Sequence, residues 1–143
     1  MSIVPCLLPK GIASAITTLS DRGAKFKILL LNNSNDRETT GFESATDYVK
    51  AIVDACHSSL QAEGKSISSE SSWSDYVTHL IYLRDCPIPI DAIQLKERGV
   101  ECVGVLPVGK KMVFEPRSLE RVLSGVCSGR GSGLQRRATI QNR

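Results

Sequence analysis

The sequence predicts an α/β fold built on a parallel sheet with flanking helices. Three runs, Lys27–Asn32, Tyr76–Leu83 and Val100–Leu106, are apolar or β-branched and of strand length. Segments with apolar residues at helical spacing separate and follow them, the alternation that makes βαβ units. The first run, Lys27-Ile28-Leu29-Leu30-Leu31-Asn32, has no polar alternation, which predicts a strand buried on both faces.

Taken in order, Pro9 to Leu19 reads as a helix. Ile12, Ala13, Ala15, Ile16 and Leu19 form its apolar stripe, with Pro9 in the first turn and Asp21-Arg22-Gly23 as the stop. The strand 27–32 follows. Asn33 to Gly41 is then wholly polar, the composition of turns. Ala45, Tyr48, Val49, Ile52, Val53 and Cys56 predict the next helix, capped by Ser44, Thr46 or Asp47. Gln61 to Ser74, rich in Ser, Glu and Gly, reads as an exposed loop within the domain. The strand 76–83 ends at Pro87 and Pro89, which open a helix holding Ile90, Ile93 and Leu95 and stopping at Arg98-Gly99. Strand 100–106 and an amphipathic helix, Pro116 to Val126, complete the order. Ligands of parallel sheets bind outside the carboxyl ends of the strands, so the loops Asn32–Gly41 and Arg84–Pro89 are the candidate functional segments.

The chain has 143 residues and a formal charge of +3. The segment 128–143 carries Arg130, Arg136, Arg137 and Arg143 without an acid, so residues 1–127 carry −1. A basic nucleic-acid-binding face is therefore not indicated. The expected organisation is one domain over 1–127 and a disordered basic tail over 128–143. No stretch is long and apolar enough to span a bilayer, and no signal-peptide pattern opens the chain, so a cytoplasmic location is expected. Five cysteines without a Cys-x-x-Cys pair, each in or beside an apolar run, predict buried reduced thiols.

Gly129-Arg130-Gly131-Ser132-Gly133 has the glycines of a phosphate loop but neither the strand nor the helix that such a loop needs. Arg136-Arg137-Ala138-Thr139 has the form of a basophilic kinase site at Thr139. His57 reads as a solvated or dipole-facing residue near a helix end, and His79 as packed and hydrogen-bonded within a strand. Asp36, Glu38 and Asp47 carry the most chemical interest. Carboxylates at a strand end can hold Mg²⁺ with phosphate oxygens completing its shell, or accept hydrogen bonds from a base or sugar. Turn chemistry and helix capping are the structural alternative for the same residues.

Three blocks resemble the CofD/YvcK-like family of 2-phospho-L-lactate transferases and gluconeogenesis factors, in its fungal-type members. Ser2 to Ala13 is similar to the family's S-I-x-P-x-L-L-x-x-G-I-A. Asn32, Glu38-Thr39, Gly41-Phe42 and Asp47 match N…E-T-x-G-[YF]…D. Val77 to Leu83, continuing to the strand Gly99 to Val103, is the third. The stretch before Glu38 is one residue shorter than in bacterial members, and that between Gly41 and Asp47 one residue longer. The resemblance begins near the family's middle, without the opening strand and Gly-rich turn. It implies a Rossmann-like parallel sheet and the C-terminal portion of such a protein.

The resemblance also implies a function. The transferases join a lactyl phosphate from a guanosine diphosphate donor to a deazaflavin hydroxyl with Mg²⁺. The other branch binds a nucleotide sugar without a known reaction. Binding of a nucleotide diphosphate-linked small molecule is thus expected, by a transferase-family protein, a non-catalytic regulator of carbon metabolism, or an inactive truncated product. Asn32, Asn33, Asp36, Glu38, Thr39, Gly41 and Asp47 are the candidate binding residues, with Asp36 and Glu38 the candidate metal ligands. A homodimer is a further expectation, because an open sheet edge favours association.

Overall fold

The computed structural model describes residues 3–21, 25–67, 71–107 and 113–128, with side chains 19–21 left aside. The elements run α1 (Ile3–Leu7), α2 (Ile12–Asp21), β1 (Ile28–Leu30), α3 (Ala45–Ala62), β2 (His79–Leu83), α4 (Ala92–Glu97), β3 (Glu101–Val105) and α5 (Pro116–Cys127), with a 3-10 turn over Trp73–Asp75 before β2. The sheet order is β1-β2-β3 and both pairings are parallel. Leu30 lies opposite Ile81, and Ile81 opposite Val103. The arrangement is α/β and Rossmann-like, as the alternation of elements predicts.

The central strand shows how period-2 geometry feeds two cores. Leu80 faces one side and is fully buried with Tyr48, Val49, Ile52 and Leu95. Ile81 and Leu83 face the other side, against Leu119, Val122 and Leu123 of α5. α3 is long because its apolar residues keep helical spacing to Leu60, giving a continuous buried stripe from Ala45. Its start is held by Asp47, whose Oδ2 accepts from the backbone N–H of Glu43 (2.8 Å) and Ser44 (3.0 Å). Ser44 is the capping position of the three expected.

Several expectations change. The first helix does not open at Pro9. The Pro9 carbonyl accepts from Ile12 N–H across a turn, and Gly11, at φ +92°, is the last turn residue before α2. A short helix, α1, precedes it. β1 is shorter than the apolar run and is not buried on both faces: Leu30 is 44% exposed. Among the described residues β1 pairs only with β2 and forms the sheet's edge, and the core beneath α5 takes in Ile28 of β1 but not Leu30. The prolines do not open α4. Pro87 to Asp91 is loop, α4 spans only Ala92–Glu97, and Ile93 is exposed. The expected loop 61–74 contains the end of α3 and the start of the 3-10 turn.

α4 stops where Arg98-Gly99 predicts. Gly99 N–H donates to Lys96 O and Val100 N–H to Leu95 O, both at 2.9 Å, the paired bonds that close a helix through a left-handed residue. Gly99 supplies that residue at φ +82°. The thiols divide by position. Cys56 is buried, Cys86 and Cys102 are partly buried, and Cys6 and Cys127 are exposed, against the expectation that all are buried. Both exposed cysteines lie toward helix ends, where an apolar neighbourhood in sequence does not ensure cover. No helix among the described residues is long and apolar enough to cross a membrane. The tail expectation and Thr139 lie outside the described residues, apart from Ser128, which caps α5.

Candidate functional site

Parallel pairing brings the carboxyl ends of β1 and β2 to one edge of the sheet, and the loop after each begins there. The β1 loop is built on Asp36. Its Oδ1 accepts from Glu38 N–H, Thr39 N–H and the Thr39 hydroxyl, each at 2.9 Å. Its own N–H donates to Thr39 Oγ1 at 2.8 Å. The Thr39 hydroxyl, followed by the two backbone donors, lowers the pKa of Asp36 below the ordinary carboxylate value. The loop is therefore a side-chain-mediated turn around an ionised carboxylate.

Tyr48 of α3 anchors that turn. Its hydroxyl lies 2.6 Å from Asn35 Oδ1 and 3.2 Å from Thr39 Oγ1. Asn35 in turn donates through Nδ2 to Phe42 O at 2.9 Å, closing the loop on itself. The Phe42 ring meets Tyr48 edge-on, with centroids 4.9 Å apart at 89°. The helical spacing of Tyr48 marks it for the core in sequence. Its hydroxyl contacts depend on the loop folding back over α3.

The β2 loop turns at Asp85, whose φ of +66° lies in the left-handed region that Asp tolerates better than most side chains. Arg84 N–H donates to Val105 O, and Cys86 Sγ donates to Ile88 O at 3.4 Å. Pro89 O accepts from Ala45 N–H at 2.9 Å, which ties this loop to the start of α3. The two loops enclose an open cleft of about 280 Å³, lined by Asn35, Phe42 and Glu43 from one side and Pro87, Ile88 and Pro89 from the other.

The predicted site residues stand around the cleft without lining it. Asp36 and Thr39 form the turn, and Thr39 is 1% exposed. Asn32, Glu38 and Gly41 are exposed, and Asn33 is partly buried. Asp47 holds the start of α3. A Cβ on Gly41 would meet nothing within 4 Å, so no internal contact explains that glycine. Phe42 belongs to the matched block and Pro87–Pro89 to the second predicted loop, so their signals were present in sequence. Asn35 lies in the first predicted loop, while Glu43 and Tyr48 had no signal that marked them for a site. Among the described residues no three His, Cys, Asp or Glu side chains gather as a metal cage. Mg²⁺ fits poorly at Asp36 Oδ1, where three donors already converge.

Neither histidine is at the cleft. His79 is packed as expected, with Nδ1 2.9 Å from the Thr78 hydroxyl and its ring tilted against Phe26. His57 is not solvent-facing: its ring meets Tyr76 edge-on at 5.2 Å, and its Nε2 is buried without a hydrogen-bond partner.

The chain is 29% identical over 130 residues to the uncharacterized protein YNL011C of Saccharomyces cerevisiae. The match covers 87% of this chain and 28% of that protein, so the chain spans less than a third of the length of this relative. No family model matches the chain, and no solved structure matches it.

Proposed function

We propose that this chain forms one wall of a binding site for a nucleotide diphosphate-linked small molecule, in a cytosolic protein of the 2-phospho-L-lactate transferase-like type. The carrying observation is the cleft between the loops that follow β1 and β2, at the sheet edge where α/β folds take their ligands. Gly41 adds support. It is exposed beside the cleft with open space around its Cβ position, which leaves room for a ligand that reaches past the cleft. In phosphoryl-linked transfer, protein side chains contribute mainly positioning and charge neutralisation, and a wall of this kind supplies positioning. Mg²⁺ enters only as a companion of the ligand's phosphates, with the exposed Glu38 as its candidate carboxylate, because Asp36 Oδ1 is already taken by the turn.

A second reading is a non-catalytic nucleotide-sugar-binding regulator. It is favoured by the cleft lining, whose one ionisable side chain among the described residues is Glu43. In either case the outer edge of β1 is where a second copy or a further segment would pair.

Calorimetric titration of GDP and UDP-sugars, with and without Mg²⁺, into this chain and its Saccharomyces relative tests the reading. Saturable binding is expected from the relative. Weak binding is expected from this chain, with a Kd on the order of 1 mM as suits a partial site. Gly41→Ala should weaken that binding and leave the thermal midpoint unchanged. Binding by neither protein refutes the reading, and unaltered affinity in Gly41→Ala removes the loop from it.

A further inference from the structure

We infer that the cleft between the two loops takes the uncharged ring end of the ligand, a nucleoside heterocycle with its sugar, and that the phosphates lie outside it. This rests on the binding reading above and names which part of the ligand the cleft holds.

Size is the first argument. Sites that enclose a whole small molecule usually run to about 300–1,000 Å³. At about 280 Å³ and open to solvent, this cleft suits one moiety of a larger ligand.

The faces are the second. Phe42 is half-buried and steadied edge-on by Tyr48, while Pro87, Ile88 and Pro89 form an apolar wall opposite. Aromatic and apolar side chains of this kind suit the π-face of a heterocycle, which stacks readily on aromatic rings. On the Phe42 side, Asn35 is held by Tyr48 through its oxygen and by Phe42 O through one amide hydrogen. Its second amide hydrogen is a donor, and the Glu43 carboxylate is an acceptor. A donor beside an acceptor complements the edge of a base or a pair of sugar hydroxyls.

Charge is the third. Glu43 is the one charged side chain among the described residues lining the cleft. A phosphate there would meet a like charge without a lining cation. At the N-terminus of α3, the ordinary seat for an anion beside such a cleft, most N–H groups are taken from within. Asp47 takes the N–H groups of Glu43 and Ser44, and Pro89 O takes that of Ala45.

The test is an amide NMR titration of the 143-residue chain with ribonucleosides, their diphosphates and inorganic pyrophosphate as separate probes. The expected result is that a nucleoside and its diphosphate shift the same amides, those of Phe42, Glu43 and Ile88, while pyrophosphate leaves them in place. Glu43→Gln should weaken nucleoside binding by about 10-fold, as loss of a charge-assisted hydrogen bond does. If pyrophosphate moves those amides and binds more tightly to Glu43→Gln, the cleft is a phosphate seat. The inference is then overturned while the broader binding reading stands. If a diphosphate shifts the cleft amides but no nucleoside does, the inference is likewise overturned. If no probe moves them, the inference falls, and the broader reading then stands or falls on binding by the Saccharomyces relative.

Discussion

Replacing Tyr48 with Phe removes one oxygen from the structure and isolates what joins the β1 loop to α3. The ring stays, and with it the edge contact to Phe42 and the apolar burial of a side chain only 3% exposed. The hydroxyl's contacts to Asn35 Oδ1 (2.6 Å) and Thr39 Oγ1 (3.2 Å) are lost. Asn35 is exposed and can turn to water, so its loss is small. Thr39 is 1% exposed and its Oγ1 keeps the Asp36 N–H, so it loses one of several partners with no water to replace it. A neutral hydrogen bond contributes about 0.5–1.5 kcal/mol net, and a buried group left short of a partner adds to that loss. We therefore expect Tyr48→Phe to lower stability by about 1.5 kcal/mol. With a urea m-value of about 2 kcal/mol/M, the midpoint falls by roughly 0.75 M. Hydrogen exchange at the Glu38 and Thr39 amides should accelerate more than exchange at Leu80 in β2, because the loop loosens before the sheet. Combining the change with Asn35→Ala should be less than additive, since both break one network. An unchanged midpoint together with unchanged loop exchange would show that the hydroxyl holds nothing and that the loop is shaped by Asp36 alone.

Gly99→Ala should destabilise by about 2 kcal/mol. A left-handed residue with a Cβ costs roughly 1–2 kcal/mol, and this one would also sit 3.1 Å from Ser72 Oγ and Ser74 Cβ. A thermal midpoint equal to wild type would contradict it. Glu63 ties the start of α2 to the end of α3. Its carboxylate accepts from the Ser14 hydroxyl and Gly11 N–H, both at 2.7 Å, and pairs with Lys65. The Ser14 hydroxyl first, then Gly11 N–H and Lys65, lower its pKa from 4.5 to about 2. Because the folded value is the lower, its stabilisation is complete above about 4.5 and is lost as pH falls toward 2. Acid titration of the urea midpoint should show this loss in the wild type and not in Glu63→Gln; parallel profiles would count against the tie. Thiol labelling at pH 8 should modify Cys6 and Cys127 first. Burial pushes Cys56 and Cys102 up to about 11, so they should react only on unfolding; rapid labelling of either in the native chain would refute that burial.

Local patterns carried much of the fold in the sequence. The apolar spacing from Ala45 to Cys56 made α3 legible, and Arg98-Gly99 marked the end of α4, because backbone geometry and side-chain periodicity act within a few residues. The β-branched run 76–83 identified β2 for the same reason, although the strand itself is shorter. The run 27–32 was misread as doubly buried because composition reports which residues avoid water and not which neighbours are present to cover them. Leu30 is exposed because it sits on the edge strand beyond the reach of the cluster under α5, which covers Ile28 but not Leu30.

The polar loop 32–41 was visible as a strand-end segment, and the β2 loop with its prolines likewise. The sequence alone determined that two such loops follow strands of a parallel sheet. Only the tertiary structure decided what they make together. It made the exposed Asp36 the centre of a turn, set Tyr48 beneath it, and used Asp47 to close α3. It also brought Asn35, Phe42 and Glu43 opposite Pro87–Pro89 across more than 40 residues of chain. A cleft between loops depends on strand pairing and helix packing over that distance, and those contacts leave no periodic signature in either segment.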